Sequence, residues 1–103
     1  MVQQVTIITE ASVALKPLIE SAIQSELRVL ELGLERTKER LHTFEEQYSL
    51  ASDEFERRFE TGEIEESLDF IEWAGEIKTY RLLEAHQQAL KEAKLNWEIN
   101  NYQ

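Results

Sequence analysis

The stretch Ile23-Gln-Ser-Glu-Leu27-Arg-Val-Leu30-Glu-Leu-Gly-Leu34-Glu-Arg-Thr37-Lys-Glu-Arg-Leu41-His-Thr-Phe44-Glu-Glu-Gln-Tyr48 decides the fold. Its seam positions, Ile23, Leu27, Leu30, Leu34, Thr37, Leu41, Phe44 and Tyr48, alternate spacings of four and three without a break. That rhythm draws one narrow stripe along a long helix, which must lay it against another helix to keep it from water. A second set, Leu18, Ala22, Val29 and Leu32, flanks the seam in the amino-terminal half. It is expected to widen the buried stripe there, so that this half touches more than one neighbour. Gly33 costs about 1 kcal/mol relative to Ala inside a helix and reads as tolerated, ahead of marking a close helix approach.

Upstream, residues 2–9 (Val-Gln-Gln-Val-Thr-Ile-Ile-Thr) are β-branched and uncharged, which predicts a short strand or an extended arm over 1–11. A lone strand is unstable and needs a partner, either a copy of itself or another protein. Ser12 is a candidate cap and Pro17 suits an early helical position, so the first helix is expected over 12–48. Downstream, Ser49 or Ser52 would cap a short helix over 52–61, which carries Phe55 and Phe59 and stops at Thr61-Gly62. A third helix is expected over 67–96, from Ser67 or Asp69, with Phe70, Trp73, Ala74, Ile77, Tyr80, Leu83 and Leu90 along one side, Ala85, Ala89 and Ala93 beside them, and a tail at 97–103. The result is an all-α single domain: a long helical hairpin with a short helix at the turn. Its economical assembly is a homodimer forming a four-helix bundle, in which the seam from Ile23 to Tyr48 is the oligomer interface.

Composition narrows the function. Among 103 residues there is no Cys, which removes disulfides and thiolate chemistry and fits a reducing compartment. No apolar run approaches a membrane span and the amino end lacks signal-peptide character, so a cytoplasmic protein with no membrane association is expected. The net charge of −10 is concentrated in residues 51–77, where two Lys/Arg stand against ten Asp/Glu. Such a surface repels phosphate backbones and attracts cations, so a basic protein partner is expected and direct nucleic-acid binding is not.

Three candidate sites follow. Glu39 and His42 have the i, i+3 spacing of carboxylate-bridged metal bundles, but His86 has Leu83 where a second Glu is required. His42 therefore reads as an exposed helical histidine beside the seam. Glu65, Glu66, Asp69 and Glu72 have the spacing by which all-α nucleotide pyrophosphatases hold magnesium, yet residues 60–77 carry no Lys or Arg for a triphosphate. The third is the acidic-aromatic segment, with Phe55, Phe59, Phe70 and Trp73 among Glu63, Glu65, Glu66, Asp69, Glu72 and Glu76. Aromatic anchors inside an acidic rim would select and capture a basic partner. At least two of the four aromatics are expected in the core at the turn. Scattered serines, two distant histidines and no Gly-rich turn supply no nucleophile elbow or phosphate cradle.

Asp53-Glu-Phe-Glu-Arg-Arg-Phe-Glu-Thr-Gly-Glu63, continuing through Leu68-Asp-Phe-Ile-Glu-Trp-Ala-Gly-Glu76 and Tyr80-Arg-Leu-Leu83, resembles a group of small, acidic, all-helical prokaryotic proteins. They are antitoxin-type partners of small toxins, frequent in cyanobacteria and archaea, and the resemblance covers roughly residues 25–95. Members often carry a Gly-Asp-Asp run before the Asp-Phe pair, where this chain has Glu63-Ile-Glu-Glu-Ser67. The resemblance implies a non-enzymatic protein-binding module that covers the basic cleft of a toxin nuclease and needs no cofactor or metal. An amino-terminal strand before helices is also similar to ribbon-helix-helix repressors; Gln3, Gln4 and Thr6 would suit a ribbon, but the first cation is Lys16, so operator binding by this chain alone is not expected. The alternatives are a metal-dependent nucleotide hydrolase using Glu65, Glu66, Asp69 and Glu72, and a structural coiled-coil assembly protein.

Overall fold

The computed structural model describes residues 2–93 and contains three helices: α1 (Leu15–Tyr48), α2 (Ser52–Glu60) and α3 (Leu68–Glu92). The expected extension of the third helix to 96 and the tail at 97–103 lie outside the described residues. α3 folds back along α1 and α2 sits at the turn, giving a rod with principal extents of 61 × 26 × 18 Å. The antiparallel register is visible in three bonds spaced along it. Tyr48 reaches Asp69, Arg40 reaches Glu76 and Gln87 reaches Glu31.

The seam folds as its spacing dictates. Leu30, Leu34 and Thr37 are buried, Ile23, Leu27, Leu41 and Phe44 are half-buried, and Tyr48 sits at the exposed edge. Within the chain this packing comes chiefly from α3, with Phe55 of α2 added at the carboxyl-terminal end of the seam. The flanking set behaves otherwise. Leu18, Val29 and Leu32 are 56–61% exposed and Ala22 is exposed beside them, because α3 covers only one stripe of α1. A Cβ on Gly33 would stand 3.2 Å from Leu83 Cδ1, so this glycine does mark a close α1–α3 approach, against the expectation that it is merely tolerated.

Caps account for the other departures. α1 starts at Leu15 with Ala14 as its uncapped first boundary, and Ser12 makes no cap. Residues 2–11 form neither helix nor strand; the only strand-forming stretch in the described chain has no second strand to pair with. Within the arm, the Ala11 N–H turns back to Thr9 Oγ1 at 3.1 Å. α1 ends at Tyr48 and is capped by Ser49, whose φ of 51° takes the left-handed position that closes a helix, with the Leu50 N–H donating to the Glu45 carbonyl. Neither Ser49 nor Ser52 caps α2. The Glu45 carboxylate, reaching across from α1, accepts the Ser52 N–H at 2.8 Å. That frees the Ser52 hydroxyl for another bond, described below. Gly62, at φ 81°, terminates α2 as expected, and the Ser67 hydroxyl caps α3 by accepting the Phe70 N–H at 3.1 Å.

Phe55, Trp73 and Ile77 form the centre of the core at the closed end, ringed by Leu41, Phe44, Leu50, Phe59, Ile64, Phe70 and Ala74. Trp73 is sandwiched: its ring stacks on Phe55 at 3.9 Å between centroids and on Phe44 at 5.5 Å. Its indole N–H donates to Ser52 Oγ at 3.0 Å, so the one polar atom of the ring is satisfied. Truncating a fully buried aromatic costs about 3–5 kcal/mol, a large share of what a domain of this size has. Trp73→Ala is therefore expected to abolish the cooperative thermal transition by circular dichroism, and a mutant melting within a few degrees of the parent would contradict this account of the core.

Candidate partner-binding surface

The closed end of the hairpin brings together the end of α1, all of α2, the 61–67 turn and the start of α3. Of the aromatics singled out in the sequence, Phe55 and Trp73 are completely buried, and Phe59 and Phe70 are half-buried at the core's edge. The first two support the surface from behind and present nothing to a partner; Phe59 and Phe70 keep an accessible rim.

The acids divide into two groups. Several are occupied within the chain. Glu54 accepts from both Arg57 and Arg58, at 2.7 and 2.8 Å, and Glu63 accepts from Arg57 at 3.2 Å and from the Thr61 hydroxyl at 2.8 Å. Glu56 is gripped by both terminal nitrogens of Arg81, which ties α2 to α3, and Glu76 pairs with Arg40 at 2.9 Å, which ties α3 to α1. Asp69 accepts the Tyr48 hydroxyl at 2.5 Å and lies 3.5 Å from Gln47 Nε2. Hydrogen bonding to Asp69 first, then burial, raises the Tyr48 phenol above its ordinary value. Glu65, Glu66 and Glu72 are the other group: all three are exposed and make no hydrogen bond or ion pair among the described residues.

Between those free carboxylates lie two apolar side chains absent from the candidate list drawn from the sequence. Leu68 is 86% and Ile71 50% exposed, and with Leu82 they share the side of α3 that faces away from Trp73 and Ile77. The signal was present as a second i, i+3 pattern on α3, masked by the stronger aromatic one. Gly75 falls on the same outer side, and a Cβ placed there would meet nothing within 4 Å. Packing within the chain therefore does not require this glycine.

Elsewhere, His42 is exposed, 3.6 Å from Glu46 and 4.0 Å from Glu45 on its own helix. Among the described residues no three His, Asp or Glu side chains converge as a metal-binding group, the quartet Glu65, Glu66, Asp69 and Glu72 included. No described helix is long and apolar enough to cross a membrane. Comparison with known proteins finds no match: no family model, no curated protein and no solved structure. The surface is therefore argued from its own residues.

Two expected outcomes follow from this geometry. The bonds from Arg57 and then Arg58 hold Glu54 well below the usual carboxylate range, at about 2. A folded value below the unfolded one adds stability that is complete above the unfolded value near 4.5 and is lost as pH falls toward 2. Glu54→Gln should thus flatten the acid limb of the urea midpoint between those values and leave the curve above it parallel to the parent; an unchanged acid limb would show that the Arg pair is not engaged in solution. Gly75→Ala should stabilise the free chain by about 0.5–1 kcal/mol, the helix propensity difference, since no neighbour opposes the methyl group. A lower melting temperature would reveal a packing role that the open space does not show.

Proposed function

We propose that the protein is a non-enzymatic binding module, an antitoxin of a toxin–antitoxin pair that works in the cytoplasm as a homodimer and neutralises a basic toxin nuclease. The observation that carries this reading is the exposed Leu68–Ile71 pair set among Glu65, Glu66 and Glu72, three carboxylates with no internal cation. Apolar side chains that bury on contact supply the binding energy, and surrounding uncompensated acids favour cationic partners and speed their encounter. Arg or Lys side chains lining an RNA-binding cleft are the complement such a surface fits. The resemblance of residues 53–83 to small antitoxin-type proteins points the same way. Dimerisation is supported by the apolar residues of α1 left uncovered by α3, notably Leu18, Val29 and Leu32.

The test is growth rescue and binding with the product of the adjacent gene, the natural candidate for a cognate toxin. The parent chain should restore growth and bind with an on-rate that falls as salt rises. Leu68→Lys combined with Ile71→Lys should weaken binding by about 100-fold or more, by removing two apolar contacts and reversing the local charge. Full rescue by that double variant, or the absence of any basic protein bound in native pull-downs, would reject the assignment.

A further inference from the structure

The amino-terminal half of α1 carries an exposed stripe that the hairpin leaves bare, and the spacing of its apolar residues suits one kind of neighbour. Counted from Ser25, the apolar positions Leu18, Ala22, Val29 and Leu32 fall at −7, −3, +4 and +7. Read in the opposite direction the series is nearly the same. An isologous contact about a two-fold axis requires such self-complementarity, with residue i against j and j against i. An axis through Ser25 sets Leu18 of one copy against Leu32 of the other and Val29 against Ser21, next to Ala22, so that a larger side chain meets small ones. Serine at the crossing point lets the two backbones come close.

We propose that a second copy of this chain docks there, α1 against α1 in antiparallel orientation, with the two-fold axis at Ser25. This deepens the homodimer part of the reading above and rests on it. Charge decides the orientation. Residues 12–32 carry two Lys/Arg and three Asp/Glu, whereas residues 51–77 carry two against ten. In a parallel pair the two acidic ends would lie side by side, within the roughly 8 Å over which charges are felt in physiological salt. In the antiparallel pair each acidic end lies about 35 Å from the axis, from Ser25 to Tyr48 at ~1.5 Å per residue, so the two are roughly 70 Å apart and effectively screened. The nearly neutral halves meet, each Arg28 lies opposite Ala22 and each Glu26 opposite Gln24, and no like charges face one another across the axis. Both Leu68–Ile71 surfaces stay free, at opposite ends of the assembly.

The absence of cysteine from the chain permits a direct test with single introduced thiols. Facing helices about 8–10 Å apart at a two-fold axis bring the axial Cα atoms within disulfide range. Ser25→Cys should therefore form a disulfide-linked dimer under mild oxidation. Arg36→Cys, on the same stripe but about 33 Å from its mate in this register, should not. Sedimentation should show a dimer for the parent and a monomer for Leu32→Glu, with helix content unchanged by circular dichroism. A parent that stays monomeric at about 100 μM would overturn both the homodimer and its face. A dimer in which Ser25→Cys fails to link, in which Arg36→Cys links as readily, or which survives Leu32→Glu, would overturn the face alone.

Discussion

The hairpin depends on one ring. Trp73 projects from α3 between Phe44 of α1 and Phe55 of α2, and its indole N–H is taken by Ser52 at the start of α2. The nine residues of α2 are too few to be helical alone, so α2 depends on this ring together with the Glu56–Arg81 pair and the Glu45 bond to Ser52. The hydrogen bond fixes where along α3 the short helix sits, and the stacking fixes how close. Ser52 is available for this because Glu45 of α1 takes over the capping of the α2 amino end. The three helices thus meet through one connected set of contacts, and the closed end, where the candidate surface lies, is the best-packed part of the molecule.

What was legible in the sequence was whatever depends on spacing along a single helix. The unbroken alternation from Ile23 to Tyr48 specified a helix and its buried side, and the apolar positions read along one side of α3 from Phe70 to Leu90 are all buried or half-buried, whereas Ala85, Ala89 and Ala93 beside them are exposed. Gly62 and Ser67 could be read as stop and start because a left-handed residue and a side-chain cap act within a few positions. The errors arose where the partner is remote in sequence. Nothing near Ser52 announces that Glu45 will cap the helix, and nothing near Gly33 announces Leu83. Leu18, Val29 and Leu32 were expected to be covered because they are apolar; whether a neighbour exists is a property of the whole assembly.

The candidate surface was legible in its charge and not in its anchors. Aromatic residues drew attention in the acidic segment, yet Phe55 and Trp73 are consumed by the core, where stacking with one another satisfies them. Leu68 and Ile71 are less conspicuous as residue types but remain in water. An alternating pattern that buries one side of a helix says nothing of the opposite side, and the apolar residues on that opposite side are the ones with surface left to bury.

The division of the acids bears on what a partner would have to displace. Glu54, Glu56, Glu63 and Glu76 are each held by an arginine, and three of these bonds link separate parts of the chain: α2 to the turn, α2 to α3 and α1 to α3. A cation competing for them would have to break an existing pair and loosen the scaffold, so they gain little from binding. Glu65, Glu66 and Glu72 have no such arginine to give up. A lysine or arginine brought to them replaces only water, and the adjoining Leu68 and Ile71 lower the local dielectric as they are covered, which strengthens the new pairs. On the proposed reading, selectivity for a basic partner would reside in a few uncompensated carboxylates beside an apolar contact, while Glu56, Glu63, Asp69 and Glu76 tie separate parts of the chain together and the acidic total of residues 51–77 sets the long-range field.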